Sequence, residues 1–515
     1  MTDTSPMQRP FTSMSTLVRG HAASHPAHAA LVQGEQSMSY GELDAIMTRI
    51  GAALQRDGVQ PGGAISICAT SSIEYAAVYL GAIRAGVVVA PLAPSSTAQS
   101  LADMVADAGA GILFVDAAVA AALQPVLPQL GATRIVTLDN SAAGQPFQAW
   151  LAPAGAPFTE PEVRPELPLN IIYSSGTTGM PKGIVQSHGM RWAHVSRGAM
   201  TGYGTDAITL LSTPLYSNTT LASFFPTIGL GGTAVLMPKF DAGKYLELAQ
   251  RHRATHTMLV PVQYQRLMAH PDFDKYDLSS FRRKFCTSAP FSAALKAEVL
   301  RRWPGKLMEL YGMTEGGGGC MLAADEFPDK LHTVGRPATG ADVRIIDEDG
   351  KELPPGSTGE VVGRSGAMMN GYHNLPAKSA EVEWHDAEGN RFIRTGDIGR
   401  FDEDGFLVLM DRMKDVIISG GFNIYPSDIE AVVRTHEAVL DVSVVGVPSE
   451  RWGETPVGFI ALREGHGDTA QTVLDWANER LGKTQRLSAL HVVDSLPRSA
   501  IGKVLKRELR DRITG

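Results

Sequence analysis

With 515 residues, the chain exceeds what one hydrophobic core usually supports, so at least two domains are expected. Its 44% hydrophobic and 19% charged residues and its net charge of -8 describe an ordinary folded chain, and exclude a disordered protein or one built on a basic nucleic-acid-binding surface. Cys68, Cys286 and Cys320 lie far apart, without a CxxC pair or neighbouring histidines, which excludes a disulfide framework and a structural zinc site and fits a reducing cytoplasm.

The first residues, MTDTSPMQRPFTSMS, lack the apolar segment of a secretory signal. Helix-like and strand-like runs then alternate: YGELDAIMTRIGAALQRDG before AISICA, SIEYAAVYLGAIRAG before VVVAPL, and QSLADMVADAGAGILFVD before AAVAAALQPVLPQLGATRIVTLD. This rhythm predicts an α/β sandwich with parallel strands. No apolar run reaches the ~18 residues of a membrane span; VYLGAIRAGVVVAPLAP is interrupted by Arg84. The Pro-rich stretch Leu151 to Pro168 reads as an exposed connection. After Thr333, Gly-punctuated segments such as DVRIIDEDGKELPPGSTGEVVGR and GRFDEDGFLVLMDRMKDVIISGG predict β-hairpins. From about Asp415 the pattern becomes that of a small α+β module, with a boundary expected at Arg412 to Asp415.

The densest chemistry lies at IIYSSGTTGMPKG, where an apolar strand runs into Ser174, Ser175, Gly176, Thr177, Thr178 and Gly179, followed by Lys182. Glycines let backbone amides turn toward an anion, hydroxyls add donors, and the lysine adds a cation, so the stretch reads as a phosphate cradle or as a flexible Ser/Gly linker. It is not a Walker P-loop, because Pro181 stands where the second glycine is required. The dinucleotide fingerprint fails too, since Thr178 occupies its second glycine position.

YSSGTTGMPKG resembles the signature loop of the adenylate-forming superfamily, which includes acyl-CoA synthetases, firefly luciferase and the adenylation domains of peptide synthetases. Further family landmarks follow in order: TSAP at Thr287 to Pro290, YGMTE at Tyr311 to Glu315, TGD at Thr395 to Asp397, DRMKDVIISGGFNIYP at Asp411 to Pro426, and PRSAIGK ending at Lys503. The resemblance implies a large N-terminal domain of stacked α/β sheets with a β-barrel-like part (residues 1–412) and a small mobile α+β C-terminal domain (residues 415–515).

By resemblance, Tyr311 and Gly312, with Ser288, Ala289 and Pro290, form the adenine side of an ATP site; a planar aromatic face suits a nucleobase. Thr287 stands where a glycine is common. Thr314 resembles the α-phosphate contact, Glu315 and Thr178 the Mg2+ ligands, hard oxygens for a hard cation, and Asp397 with Arg412 the ribose contacts. Lys503 resembles the lysine that joins Lys182 in offsetting charge during adenylation, and Lys506 and Arg507 read as solvated neighbours. The family rotates its C-terminal domain between two half-reactions, which places the hinge at Lys414. Gly420 and Gly421 resemble the border of the pantetheine tunnel, and Trp452 an aromatic that touches CoA in benzoate-type ligases.

The implied reaction joins a carboxylic acid to ATP, giving an acyl-adenylate and pyrophosphate, before a thiol displaces AMP. The acyl pocket is expected at Ser217, Asn218, Gly316, Gly317 and Gly318. Ser217 replaces a gating histidine found in many relatives, and the missing side chains of GGGGC either leave room for a ring or branched acid or form a flexible loop. An aromatic or otherwise bulky acid is expected, with a medium-chain fatty acid as the alternative; Arg191 or Arg282 is available for a second carboxylate. CoA is the expected acceptor, because no carrier domain is attached; loading of a carrier protein, oxidation of the adenylate and a degenerate regulatory site are the alternatives. A homodimer is the family's usual habit.

Overall fold

The computed structural model describes residues 10–174, 181–419, 422–463, 465, 467–498 and 503–514. Local chemistry sets many of its helix starts. Ser39 caps Tyr40–Arg56 in a reciprocal box with Glu42, and Ser72, Thr97, Asp116, Ser187, Asp241 and Ser292 each accept a first-turn amide of their helix.

The alternating runs of the N-terminal part form two sheets. In the larger, the parallel strands are ordered Lys306–Tyr311, Arg283–Cys286, His256–Leu259, Ile208–Leu211, Thr233–Leu236 and Ala29–Gln33. In the other they are Pro168–Ser174, Val88–Pro91, Ala64–Cys68, Ala110–Val115 and Arg134–Thr137, with Lys182–Ser187 and Gly371–Tyr372 added antiparallel at one edge. The helices Tyr40–Arg56, Ile73–Arg84 and Asn218–Gly229 share one core with both sheets, Leu31, Leu211 and Leu236 on one side and Ile65, Ile67 and Phe114 on the other. Every residue of Ala64–Cys68 is buried, because Cys68 and Leu113 face a second layer of helices across the strand. That explains an apolar run without polar alternation. The expected single sandwich is therefore a stack of helix and sheet layers.

The chain divides into two units. One holds the residues up to His332 with Pro337–Asp342 and Arg364–Ile393; the other holds Thr333–Arg336, Val343–Gly363 and the residues from Arg394 on. The second contains the expected hairpin, in which Asp397 pairs in register with Arg412. It also contains the long hairpin Val439–Ser449 and Gly453–Leu462, extended by Ala489–Val492 and packed on Ile429, Val433, Val473 and Ala477. The stretch Arg412 to Asp415 lies inside this unit: Ser427 donates its amide to Asp411 Oδ2 at 2.9 Å, and Arg510 pairs with Asp415 at 2.7 Å. Among the described residues, no helix is long and apolar enough to cross a membrane.

Candidate active site

Within the first unit, topology gathers the sequence motifs along one sheet edge. Thr287 to Pro290 leave the carboxyl end of Arg283–Cys286, Gly312 to Glu315 that of Lys306–Tyr311, and Ser217 follows Ile208–Leu211. The carboxyl ends of parallel strands are where α/β sheets place ligands, because connecting loops diverge there and leave a crevice.

Each loop is held by its own side chains. Thr287 Oγ1 donates to Leu310 O at 2.7 Å, which gives this hydroxyl a structural task at a position where a glycine is common. Ser288 has φ 80°, a strained left-handed conformation for a side-chain-bearing residue, and shares a 2.6 Å hydrogen bond with Thr219. Ala289 is partly buried and Pro290 exposed. Tyr311 closes its strand half-buried, and a side chain at Gly312 would meet open space.

Ser174 and Lys182 are register partners at the two ends of the loop expected to cradle phosphate, whose Ser175, Gly176, Thr177, Thr178 and Gly179 lie outside the described residues. Lys182 Nζ sits 5.0 Å over the ring of Tyr372, and the Tyr372 hydroxyl donates to Glu315 Oε1 at 2.9 Å. Burial, then the Glu315 charge, raises the phenol's pKa, so the hydroxyl keeps its proton and remains the donor. The ring thereby holds a cation and a carboxylate in place without joining them as an ion pair. Tyr372 was missed in the sequence because nothing in NGYHNLP marks it; only the antiparallel register Tyr372 to Ile184 brings it to the site.

Glu315 presents a carboxylate, a hard oxygen donor of the kind that would suit Mg2+. Among the described residues no group of three or more His, Cys, Asp or Glu could hold a metal. Mg2+ keeps several waters and binds through one or two carboxylates together with substrate phosphates, a need that a single carboxylate such as Glu315 would meet.

At the positions expected to line an acyl pocket, Ser217 is buried at the start of Asn218–Gly229, and Asn218 Oδ1 accepts from Gln186 Nε2 at 3.2 Å. The glycine run is pressed against backbone. Gly316 has φ 73°, and a Cβ there would lie 2.0 Å from Ala367 O; Gly317 donates to that same carbonyl at 3.0 Å, and Gly318 is buried. Gly316→Ala is expected to lower stability by about 2–3 kcal/mol, from left-handed strain together with overpacking. Urea unfolding compared with Gly312→Ala, which meets open space, checks this.

Arg191 and Arg282, the two cations expected to be available for a second carboxylate, are both engaged. Arg191 is fully buried and donates to Asn170 Oδ1 at 3.1 Å and to Gln186 Oε1. Arg282 pairs with Asp206 at 2.7 Å on the surface.

The second unit carries its own cluster. The hairpin sets Asp397 opposite Arg412, with 3.2 Å between their charged groups, and Asp397 is buried. Lys503 lies in the field of both. Burial first, then the positive charges of Arg412 and Lys414, lower its pKa to about 8, while Asp397 and Asp415 act in the opposite direction. Lys414 sits in the short 3-10 turn Met413–Asp415, where burial likewise lowers its pKa. Lys506 is not the solvated lysine expected: it pairs with Glu430 at 3.0 Å, mostly buried, and Glu430 and Asp411 outweigh burial to raise its pKa. Arg507, 67% exposed, is surface-lying as expected. Gly420 and Gly421 lie outside the described residues, and Trp452 is 48% exposed with Arg451 over its ring at 4.7 Å.

Comparison with known proteins identifies the family of the chain. The AMP-binding enzyme family model matches residues 18–373, and the AMP-binding enzyme C-terminal domain matches residues 428–503. Indoleacetate–CoA ligase of Aromatoleum aromaticum is 33% identical, over 97% of this chain and 98% of its own. The fatty acid–[acyl-carrier-protein] ligase ScoC of Streptomyces coeruleorubidus is 31% identical, over 96% and 95%. The crystal structure of ATP-bound MatB from Rhodopseudomonas palustris superposes with a TM-score of 0.88 at 29% identity, covering 97% of this chain and 99% of that one. With the first match alone covering more than half of the 515 residues, the chain belongs to the AMP-binding enzyme family, whose members form adenylates.

Proposed function

We propose that the protein is an AMP-forming carboxylic acid:CoA ligase whose acid is aromatic or otherwise bulky. The observation that carries this reading is the Lys182–Tyr372–Glu315 arrangement, a fixed cation beside a fixed carboxylate at the sheet edge. A nucleotide triphosphate with its metal needs both. Near-complete coverage by an indoleacetate–CoA ligase supports the choice of acid and acceptor.

In the first half-reaction a carboxylate oxygen of the acid attacks the α-phosphorus of ATP, and pyrophosphate leaves. Two anions are joined, so fixed positive charge must stand where negative charge accumulates. Lys182 and Lys503 supply it, with Thr314 at the α-phosphate. Glu315, with Thr178, would hold Mg2+, which when bound supplies further positive charge to the phosphate oxygens. Tyr311, Gly312 and Ser288 to Pro290 orient the adenine, and Asp397 with Arg412 the ribose. In the second half-reaction the thiol sulfur attacks the acyl carbon, AMP leaves with the bridging oxygen, and the thiol proton goes to solvent. Gly420, Gly421 and Trp452 are the proposed CoA contacts, and Ser217, Asn218 and Gly316 to Gly318 the acyl-side wall.

A second reading, transfer to a carrier protein instead of CoA, is favoured by the similarity to ScoC. The test is incubation with ATP, Mg2+ and an acid library, with CoA, with a phosphopantetheinylated carrier protein, or with neither. Acid-dependent pyrophosphate and a CoA thioester are expected. Pyrophosphate with acylated carrier but no CoA thioester would select the second reading, and no pyrophosphate with any acid would contradict both.

A further inference from the structure

Behind the sheet edge lies a buried polar cluster that no site motif contains. Asn170, Gln186 and Arg191 are each 0% exposed. Arg191 donates through Nε to Asn170 Oδ1 at 3.1 Å and through Nη2 to Gln186 Oε1. Asn170 Nδ2 donates to the same Gln186 oxygen at 2.9 Å, and Gln186 Nε2 donates to Thr314 O at 2.7 Å and to Asn218 Oδ1 at 3.2 Å.

The direction of these bonds is fixed by chemistry. A guanidinium only donates, so the Gln186 atom that meets Arg191 must be the oxygen, and the amide nitrogen must then face Thr314 and Asn218. Both hydrogens and both acceptor positions of Gln186 are used, so its amide cannot flip without burying an unpaired group. One hydrogen of this amide nitrogen holds the backbone immediately before Glu315, whose own carbonyl accepts from Met369 at 2.8 Å. The second hydrogen of the same nitrogen holds the residue that opens the helix Asn218–Gly229, while the amide oxygen is held by Arg191 and Asn170.

Resting on the ligase reading above, we propose that Gln186, oriented by Arg191, is a positioning residue that sets the nucleotide-side Thr314 and the acyl-side Asn218 through a single amide. It touches neither substrate. It fixes the relative placement of the groups that bind them.

Gln186→Glu separates this role from simple packing. The carboxylate keeps an acceptor for Arg191, indeed a charged one, but it turns an oxygen toward Thr314 O and Asn218 Oδ1 and loses both donations. In the full-length protein, acid-dependent pyrophosphate release is expected to lose about 100-fold in kcat, the scale of a 1 Å misplacement, with a raised KM for the acid and a loss of activity far larger than any loss of folded protein. Gln186→Met, which leaves Arg191 without that acceptor, is expected to lower the melting temperature instead. The proposal is overturned if Gln186→Glu stays within about twofold of the parent in kcat and both KM values, small against that scale. A kcat that falls only in step with the folded fraction, at unchanged KM, overturns it as well. If Gln186→Glu does not fold, Asn218→Ala carries the test: its KM for ATP is expected to rise along with that for the acid, and a rise for the acid alone overturns the coupling. ATP-induced thermal stabilisation needs no turnover. A parent protein stabilised by ATP that releases no pyrophosphate fails the ligase reading, while the positioning role then stands or falls on whether Gln186→Glu loses that stabilisation.

Discussion

Lys503→Ala is expected to slow adenylation by about 100- to 1,000-fold, the cost of removing one preorganised donor from a developing charge. It is expected to leave the transfer of a supplied acyl-adenylate to CoA near the parent rate. The setting of Lys503 explains why the amine is suited to the task. Burial strips it of solvent, and with the positive charges of Arg412 and Lys414 brings its pKa down to about 8. A desolvated cation gains strength when an anion arrives. The same setting gives a pH dependence with a definite sign. Below about 8 the amine is charged and above it neutral, so kcat/KM for adenylation, which reports the free enzyme, is expected to fall as pH rises through that value. The limb seen in kcat should lie higher, because bound ATP adds negative charge that favours the protonated amine. The Lys503→Ala profile should lack this limb.

Lys414→Pro is expected to show the complementary defect: acid-dependent pyrophosphate release continues, while thioester formation from a supplied acyl-adenylate falls by about 100-fold, as for a misplaced acceptor. Lys414 sits in a 3-10 turn, whose φ values overlap the window that proline enforces. Proline therefore suits the arrangement described here and resists the change of backbone angle that a hinge must absorb. Single-turnover assays of each half-reaction separate the two variants. Equal loss of both half-reactions in both folded variants would contradict a rotation about Lys414.

The groups proposed to face a nucleotide stand in short runs of the sequence whose residue types repeat the chemistry, YGMTE and TGD above all. The α/β alternation was legible for the same local reason. The relationships between distant elements were not. Tyr372 reaches Glu315 only because Gly371–Tyr372 pairs with Lys182–Ser187, and Gln186 reaches Thr314 across 128 residues. The pairing of Lys506 with Glu430 was hidden likewise, so a basic helix start read as solvated. The glycine run was visible, yet its physical basis at Gly316, a carbonyl at Ala367 that leaves no space for a Cβ, lies in another segment.

In the proposed reaction the acid is activated by bonding its own oxygen to the α-phosphorus of ATP. The most direct measurement uses an accepted acid labelled with oxygen-18 in its carboxylate, turned over with ATP, Mg2+ and CoA, followed by mass spectrometry of the nucleotide product. The expected result is AMP carrying one labelled oxygen per thioester formed. Unlabelled AMP, or ADP with the label in inorganic phosphate, would contradict it.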